Sequence, residues 1–261
     1  MIPAMNEMSI EVALVECAAA RAKGRRIQSI CIGYNVTIVE LDDGSMGTSA
    51  MLKEPKTGTE HHVAEAGTLV GAKADKVMYW LLEHQASVKR NVALATINAA
   101  SAMTMYPEEQ GITASDLPLI HEGDVLGIVG YIAPMVRRMA PKAADFFIFD
   151  NSLNEGVSPP ERQPELIPKC SVVCITGTSF LNHTVSTVLS YCRNAREVVI
   201  VGPSTPLFPE VFADTPVTFL AGSRWPSDKR EQLFSLSSQA AGVHQLSRLM
   251  QKVTIPISRG S

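Results

Sequence analysis

Three short segments combine small residues with hydroxyl and amide side chains in a way that could hold a ligand. Thr176-Gly177-Thr178-Ser179 is followed closely by Asn182-His183-Thr184. Asn or Thr there could cap a helix starting near Val185, and free backbone N–H groups above such a cap also attract carboxylate or phosphate. Gly202-Pro203-Ser204-Thr205-Pro206 pairs two backbone-fixing prolines with a permissive glycine. That predicts a stiff loop presenting two hydroxyls and at least two N–H groups, more specification than a plain turn needs. The third segment, Gly127 to Pro134 (GIVGYIAP), departs from the G-x-G-x-x-G dinucleotide fingerprint because its second and third glycines are out of place. Asp150 follows Gly130 by 20 residues, where a ribose-binding acid can sit, although an aspartate commonly ends a strand.

Metal and nucleophile chemistry is less well supplied. His61-His62 is the only adjacent histidine pair, and neighbouring side chains diverge on both strands and helices. Cys170 and Cys174 could share a strand face, but ~13 Å apart, too far for one ion. The five cysteines are odd in number and form no C-x-x-C pair, and Cys31, Cys170 and Cys174 adjoin apolar runs as small buried hydrophobes do. Glu161-Arg162 lies in a proline-rich loop from Ser158 to Pro168, as a solvated pair or as a clamp over a site. No spacing suggests a nucleophile–base–acid set.

The elements that must position these segments fall into two grammars. Five short apolar runs, Val125–Val129, Phe146–Phe149, Ser171–Ile175, Val198–Val201 and Val217–Leu220, read as strands covered on both faces, as in a parallel sheet. Helical stretches at Pro134–Met139, Asn182–Cys192 and Asp228–Ser237 lie between some of them. Each run ends in small or polar residues: Gly130-Tyr131, Asp150-Asn151, Thr176-Gly177-Thr178, Gly202 to Thr205, and Ala221-Gly222-Ser223. In an open parallel sheet those positions share one edge, where ligands bind at the reversal of strand order.

The first hundred residues read differently. Ser9–Lys23 has helical spacing and stops near Gly24; Ile27–Glu40 is extended, Asp42-Asp43-Gly44 a turn, and Ser45–Leu52 a second strand. Helical patterns follow at Ala64–Leu69, Lys76–His84 and Val88–Ala100. The prediction is an α/β chain: a small α+β domain over residues 1–102, a connector over 103–122 with Pro107, Gly111 and Pro118, and a Rossmann-like parallel-sheet domain over 123–261. Composition is that of a globular protein, with 46% hydrophobic and 19% charged residues. A net charge of -3 without basic blocks argues against nucleic-acid binding. No apolar window reaches the ~20 residues that span a bilayer. The chain is expected to be cytoplasmic, with no membrane partner and a homodimer as the default assembly.

Gly-x-x-Gly-Tyr-x-x-Pro at Gly127–Pro134, ITGTSFLNHT at Ile175–Thr184 and VGPSTPL at Val201–Leu207 together resemble a prokaryotic family labelled "putative heavy-metal chelation domain". The resemblance implies a Rossmann-like domain preceded by one similar to the N-terminal domain of enolase. Ala95–Ala99, closing the first half, fits that partner. It also implies a polar cleft between the two domains that would hold the ligand, lined by Asn98, Gly130, Tyr131, Glu161, Arg162, Thr176, Thr178, Asn182, Thr184, Gly202, Ser204 and Thr205. The sequence departs from the family pattern after Arg162, where a Gly/Asp-rich stretch is shortened, and at Ser171, where aspartate is frequent. The cleft residues are hydroxyls and amides rather than the Cys/His set that soft metals prefer. The expectation is therefore a small polar or anionic metabolite, with a metal ion or metal chelate as the cofactor class. The alternative is a transferase or lyase using a nucleotide-like or S-adenosyl cofactor on the same edge.

Overall fold

The computed structural model describes residues 9–52, 63–83, 88–104, 118–152 and 154–258; His61-His62 and most of the expected connector lie outside them. Helix α1 (Ile10–Arg21) begins where the Ser9 hydroxyl accepts the Val12 N–H, and Glu11 and Arg21 sit at the ends that favour their charges. Strands β1 (Ile27–Ile32), β2 (Val36–Leu41) and β3 (Met46–Ala50) form an antiparallel sheet in that order. The expected single extended run from Ile27 to Glu40 is thus a hairpin, broken at Gly33 to Asn35. Gly33 is required there because a β-carbon would come within 2.6 Å of the Ser237 carbonyl. Residues 64–69 form turns rather than a helix, and the next helical segment is α2 (Ala74–Val77) running into a tight 3-10 turn at Met78–Leu82.

Helix α3 (Val88–Ser101) is buried on almost every face, from Arg90 to Ser101. Small residues explain how. A β-carbon at Gly47 would lie 2.0 Å from the Ala99 nitrogen and 2.3 Å from the Ala95 carbonyl oxygen, so β3 lies directly on the helix backbone.

The second sheet has seven strands in the order β10-β9-β8-β7-β4-β5-β6. Its strands are β4 (Val125–Val129), β5 (Asp145–Phe149), β6 (Val157–Ser158), β7 (Val172–Thr176), β8 (Glu197–Val201), β9 (Phe219–Arg224) and β10 (Gln251–Pro256). All neighbours are parallel except β9 and β10. Two strands escaped the sequence pattern: β6 is only two residues long, and β10 is an antiparallel edge whose first two residues are exposed. Strand β9 also starts later than its apolar run suggests. Ala221-Gly222-Ser223 is therefore ladder, with Ala221 paired to Val201, and not a turn at the ligand edge.

Alternate residues of each strand feed opposite faces. Val173 and Ile175 join one core cluster with Val129, Phe149, Val198 and Ile200, whereas Val172 and Cys174 join Leu126, Ile128 and Val199 on the other. Cys170 belongs to the first cluster and Cys174 to the second, so the two cysteines do not share a face. Helix α4 (Ala133–Met139) covers one face through Met135 and Met139; α6 (Val185–Tyr191) covers the other through Val185, Val188 and Leu189. A short α5 (Gln163–Leu166) lies after β6. The first cluster also contains Leu14, Ala18, Val39, Leu41 and the apolar residues of α3, so one continuous core runs through both sheets.

Helices α7 (Arg230–Ser238) and α8 (Val243–Leu246), beyond β9 in sequence, pack on the small sheet. Leu233, Ala241, Leu246 and Trp225 cover Val36, Ile38 and Met46. Arg230 Nε donates to both oxygens of buried Glu40, at 2.7 and 2.9 Å, and Ser237 Oγ donates to the Val36 carbonyl at 2.8 Å. Arg230 holds the Glu40 carboxyl below its ordinary range, against the opposing effect of burial.

Candidate functional site

Strand order reverses at β4, which has β5 on one side and β7 on the other. The connections leaving β4 and β7 therefore run to opposite sides, and in open α/β sheets ligands bind in a crevice at such a reversal. Gly130 ends β4 with φ of 91°, and a β-carbon there would meet Thr176 Cγ2 at 2.5 Å. Only glycine meets both demands, the left-handed backbone and the close approach. Tyr131 follows, 40% exposed at the rim of the turn.

Beyond β7, Thr176 opens a 3-10 turn at Gly177–Phe180. Its Oγ1 accepts the Thr178 N–H and lies 3.1 Å from Thr178 Oγ1, while Ser179 Oγ donates back to the Thr176 carbonyl. Thr184 N donates to the Ser179 carbonyl at 3.1 Å, closing residues 176–184 into one compact turn. Helix α6 starts at Val185 as the spacing predicts, but its cap differs: Thr184 makes no side-chain cap bond. Instead Asn182 Oδ1 accepts Thr184 Oγ1 at 2.7 Å and Thr184 N at 3.4 Å. Asn182 is exposed, and Thr176, Thr178 and Thr184 are half-buried.

The loop after β8 corrects a second expectation. Gly202 has φ of 113°, and Thr205 N donates to its carbonyl at 3.0 Å. Ser204 and Thr205 are buried, so their hydroxyls are not offered outward. Ser204 Oγ accepts the Ala50 N–H at 2.8 Å, and Thr48 Oγ1 donates to the Pro203 carbonyl at 3.0 Å. Asn98, on α3, donates its amide to the Thr48 carbonyl at 2.7 Å. Asn98 and Ser204 thus complete the outer edge of β3 as a neighbouring strand would, and the loop joins the two sheets. Gly177 lets that loop press against the β7 turn, since a β-carbon would lie 2.6 Å from Thr205 N. Asn98 Oδ1 and Thr205 Oγ1 are buried without a hydrogen-bond partner among the described residues.

The twelve expected residues therefore divide by position. Gly130, Tyr131, Thr176 and Thr178 meet at the crevice, with Asn182 and Thr184 in the same turn as the threonines. Asn98, Gly202, Ser204 and Thr205 form the seam behind it. Glu161 and Arg162 follow β6, three strand spacings or about 14 Å from β7. Both are exposed, and Arg162 pairs with Glu165 at 3.2 Å.

Asp150 accepts two backbone N–H groups, that of Tyr131 at Oδ2 and that of Ser152 at Oδ1, both at 2.8 Å. It shapes the turn after β4. His183 was outside the expected set, and its distinguishing signal is conformational, a φ of 54° that no spacing rule reveals.

Among the described residues no three His, Cys, Asp or Glu side chains gather as a metal cage. Burial pushes the thiols of Cys170 and Cys192 up to about 12, and that of Cys174 higher still, which disfavours the thiolate that binds metal. Cys17 is also raised to about 12, by burial and then by its bond to Glu210. A surface depression of about 410 Å³ at the start of α7, lined by residues 227–232, lies on the helix that covers the small sheet and contains none of the expected residues.

Charge concentrates at the opposite edge of the large sheet. Asp124, Ser171 and the Arg196–Glu197 pair stand at the starts of β4, β7 and β8. Asp124 accepts from Arg196, from Ser171 Oγ at 2.7 Å and from the His121 N–H at 2.6 Å. Burial raises its pKa, but these donors prevail and hold it at about 2. Ser171, where aspartate is frequent in the resembling family, supplies a donor that an aspartate would replace with a second negative charge. Glu197 is buried beside them, raised by desolvation, and accepts the Leu119 N–H at 2.9 Å.

These features define a mixed α/β protein with a mostly parallel sheet, whose strand-edge turns present hydroxyls and amides. The chain belongs to the family described as "Putative heavy-metal chelation": residues 113–256 match one model of that description and residues 15–101 a second. An uncharacterised protein of Methanocaldococcus jannaschii is 30% identical over 143 residues, 52% of this chain and 55% of that relative, so the match spans about half of the relative's length. A DUF364-family protein of unknown function from Pyrococcus horikoshii superposes with a TM-score of 0.78 at 17% identity, over 95% of this chain and 100% of that one. One from Desulfitobacterium hafniense gives 0.75 at 22%, over 94% and 98%. At these identities the likeness establishes the fold. No helix among the described residues is long and apolar enough to cross a membrane.

Proposed function

We propose that this protein binds a small anionic, metal-chelating metabolite in the crevice between the β4 and β7 turns, as part of cytoplasmic metal handling. The observation that carries the reading is the meeting of Gly130 with the Thr176–Thr178 hydroxyl pair at the reversal of strand order. Of two hydroxyls that share one hydrogen bond, the accepting one keeps its own hydrogen to donate to an anion. Gly130 lets Thr176 pack against the end of β4, which fixes the hydroxyl pair at the strand end. Hydroxyl and amide donors suit the carboxylate oxygens of a chelate better than they suit a bare soft metal. The family description supports a role connected with metal. Asp150 has a role in the turn that needs no cofactor, each of its oxygens holding a backbone N–H.

Equilibrium dialysis with elemental analysis tests the proposal. Nickel, zinc and ferric ions are each presented alone and as citrate complexes. The expected result is saturable uptake of metal and citrate together, near one equivalent per chain. Protein that retains neither metal nor citrate would refute it.

A further inference from the structure

His183 is the only imidazole in the turns leaving the strands of the large sheet. Its φ of 54° lies in the left-handed region that a β-carbon disfavours, shared among non-glycine described residues only with Ala240. The surrounding structure holds it there. Arg90 Nη2 donates to the Phe180 carbonyl at 2.8 Å, and His183 Nε2 lies 3.0 Å from the Glu83 carbonyl oxygen, so the small-sheet half grips the turn at two points.

The second contact fixes the chemistry of the ring. A carbonyl oxygen only accepts, so Nε2 carries the hydrogen and, in the neutral ring, Nδ1 carries the lone pair. An imidazole N–H held by a backbone carbonyl is the supporting arrangement that sets tautomer and orientation in metal-ligating histidines. The ring is half-buried, and it belongs to the same compact turn as Thr176 and Thr178. Imidazole nitrogen also suits divalent zinc, copper and nickel, which the hydroxyls and amides around it do not.

We propose that His183 Nδ1 coordinates the metal of an incoming chelate, filling one open position on a divalent transition ion whose other ligands the small molecule supplies. The Nδ1–metal bond forms as a metal–water bond breaks, and the water leaves; no electron is transferred. Thr176 and Thr178 would meet the chelate's oxygens while His183 meets its metal. The inference rests on the chelate-binding reading above and adds the residue that senses whether the chelate is loaded.

The test uses the full chain and copper(II) iminodiacetate, a chelate with open coordination positions, followed by pulsed electron paramagnetic resonance and by dialysis. His183→Asn is the informative variant, because asparagine tolerates the left-handed backbone; its shorter amide does not reach the Glu83 carbonyl, so His183→Gln, whose Nε2 extends as far as the imidazole Nε2, is measured beside it. Circular dichroism confirms the fold of each. Wild-type protein is expected to show one more coordinated imidazole nitrogen than His183→Asn and at least tenfold tighter binding of the copper complex. Metal-free iminodiacetate is expected to bind both proteins equally. If wild type and His183→Asn bind the copper complex alike, with equal nitrogen coupling, His183 is not a ligand and chelate binding stands without it. Weaker binding by His183→Asn with no change in nitrogen coupling would make His183 a positioning residue and overturn the coordination. If wild-type protein binds neither copper nor citrate complexes, both readings fall.

Discussion

Thr178 and Asp124 show how differently polar side chains are used at the two edges of the large sheet. At the edge where the parallel strands end, the Thr176–Thr178 pair is half-buried and keeps one hydroxyl hydrogen free. Thr178→Val should weaken zinc citrate binding by roughly ten- to a hundredfold, in line with the roughly 1.5–3 kcal/mol of a hydrogen bond to a charged group. Isothermal titration reads that change, and the thermal midpoint should barely move. At the far edge, Asp124 is buried among donors and its pKa falls from 3.8 to about 2. A carboxyl depressed by folding stabilises fully above its unfolded pKa and loses that contribution as pH falls through its folded value. The loss between about pH 4 and pH 2 should reach about 2 kcal/mol, seen in urea midpoints as a steeper pH slope for wild type than for Asp124→Asn. Residue types at the ligand edge were legible from sequence, since glycine and threonine after apolar runs point to strand ends. Their orientation was not. Ser204 looked like an outward hydroxyl, but it turns inward because the edge of β3 needs an acceptor for the Ala50 N–H.

Helix α3 and strand β3 set the tolerance of the small sheet. Gly47→Ala would drive a methyl group into the Ala95 and Ala99 backbone, which no side-chain rotation relieves. A loss of about 3 kcal/mol or more is expected in urea unfolding, at the upper end of overpacking costs. Helix α7 depends instead on the Arg230–Glu40 contact. Arg230→Ala leaves Glu40 without its main donor, and hydrogen exchange should quicken across residues 230–238 before the rest of the chain responds. Continuous apolar runs marked β4, β5, β7 and β8 within a residue or two, because both faces of β4, β7 and β8 are covered, as is the far end of β5 at Ile148 and Phe149. The Gly33–Asn35 hairpin and strand β10 stayed hidden: the apolar pattern of β1 and β2 runs on through their turn, and β10 borrows its place from antiparallel pairing with β9. Nor does local pattern tell that α7 packs on the first sheet, since that is a matter of long-range contact.

As a whole the molecule has two sheets but a shared interior. The main core cluster joins α1 and α3 to the large sheet, and the loop after β8 bonds to β3. Unfolding should therefore follow one transition, with far-ultraviolet circular dichroism and tryptophan fluorescence giving coincident urea curves; two separated transitions would show that the halves are energetically independent. The same union places the seam of Asn98, Ser204 and Thr205 directly behind the β7 turn, so the proposed chelate site would depend on both halves.

The proposed binding surface is the crevice at the β4–β7 reversal. Backbone amide NMR of the deuterated, nitrogen-15-labelled chain during titration with zinc citrate tests it most directly. Saturable shifts are expected, concentrated at residues 130–131 and 176–184, with smaller ones at 202–205. Shifts confined to other parts of the molecule, or none at all, would contradict it.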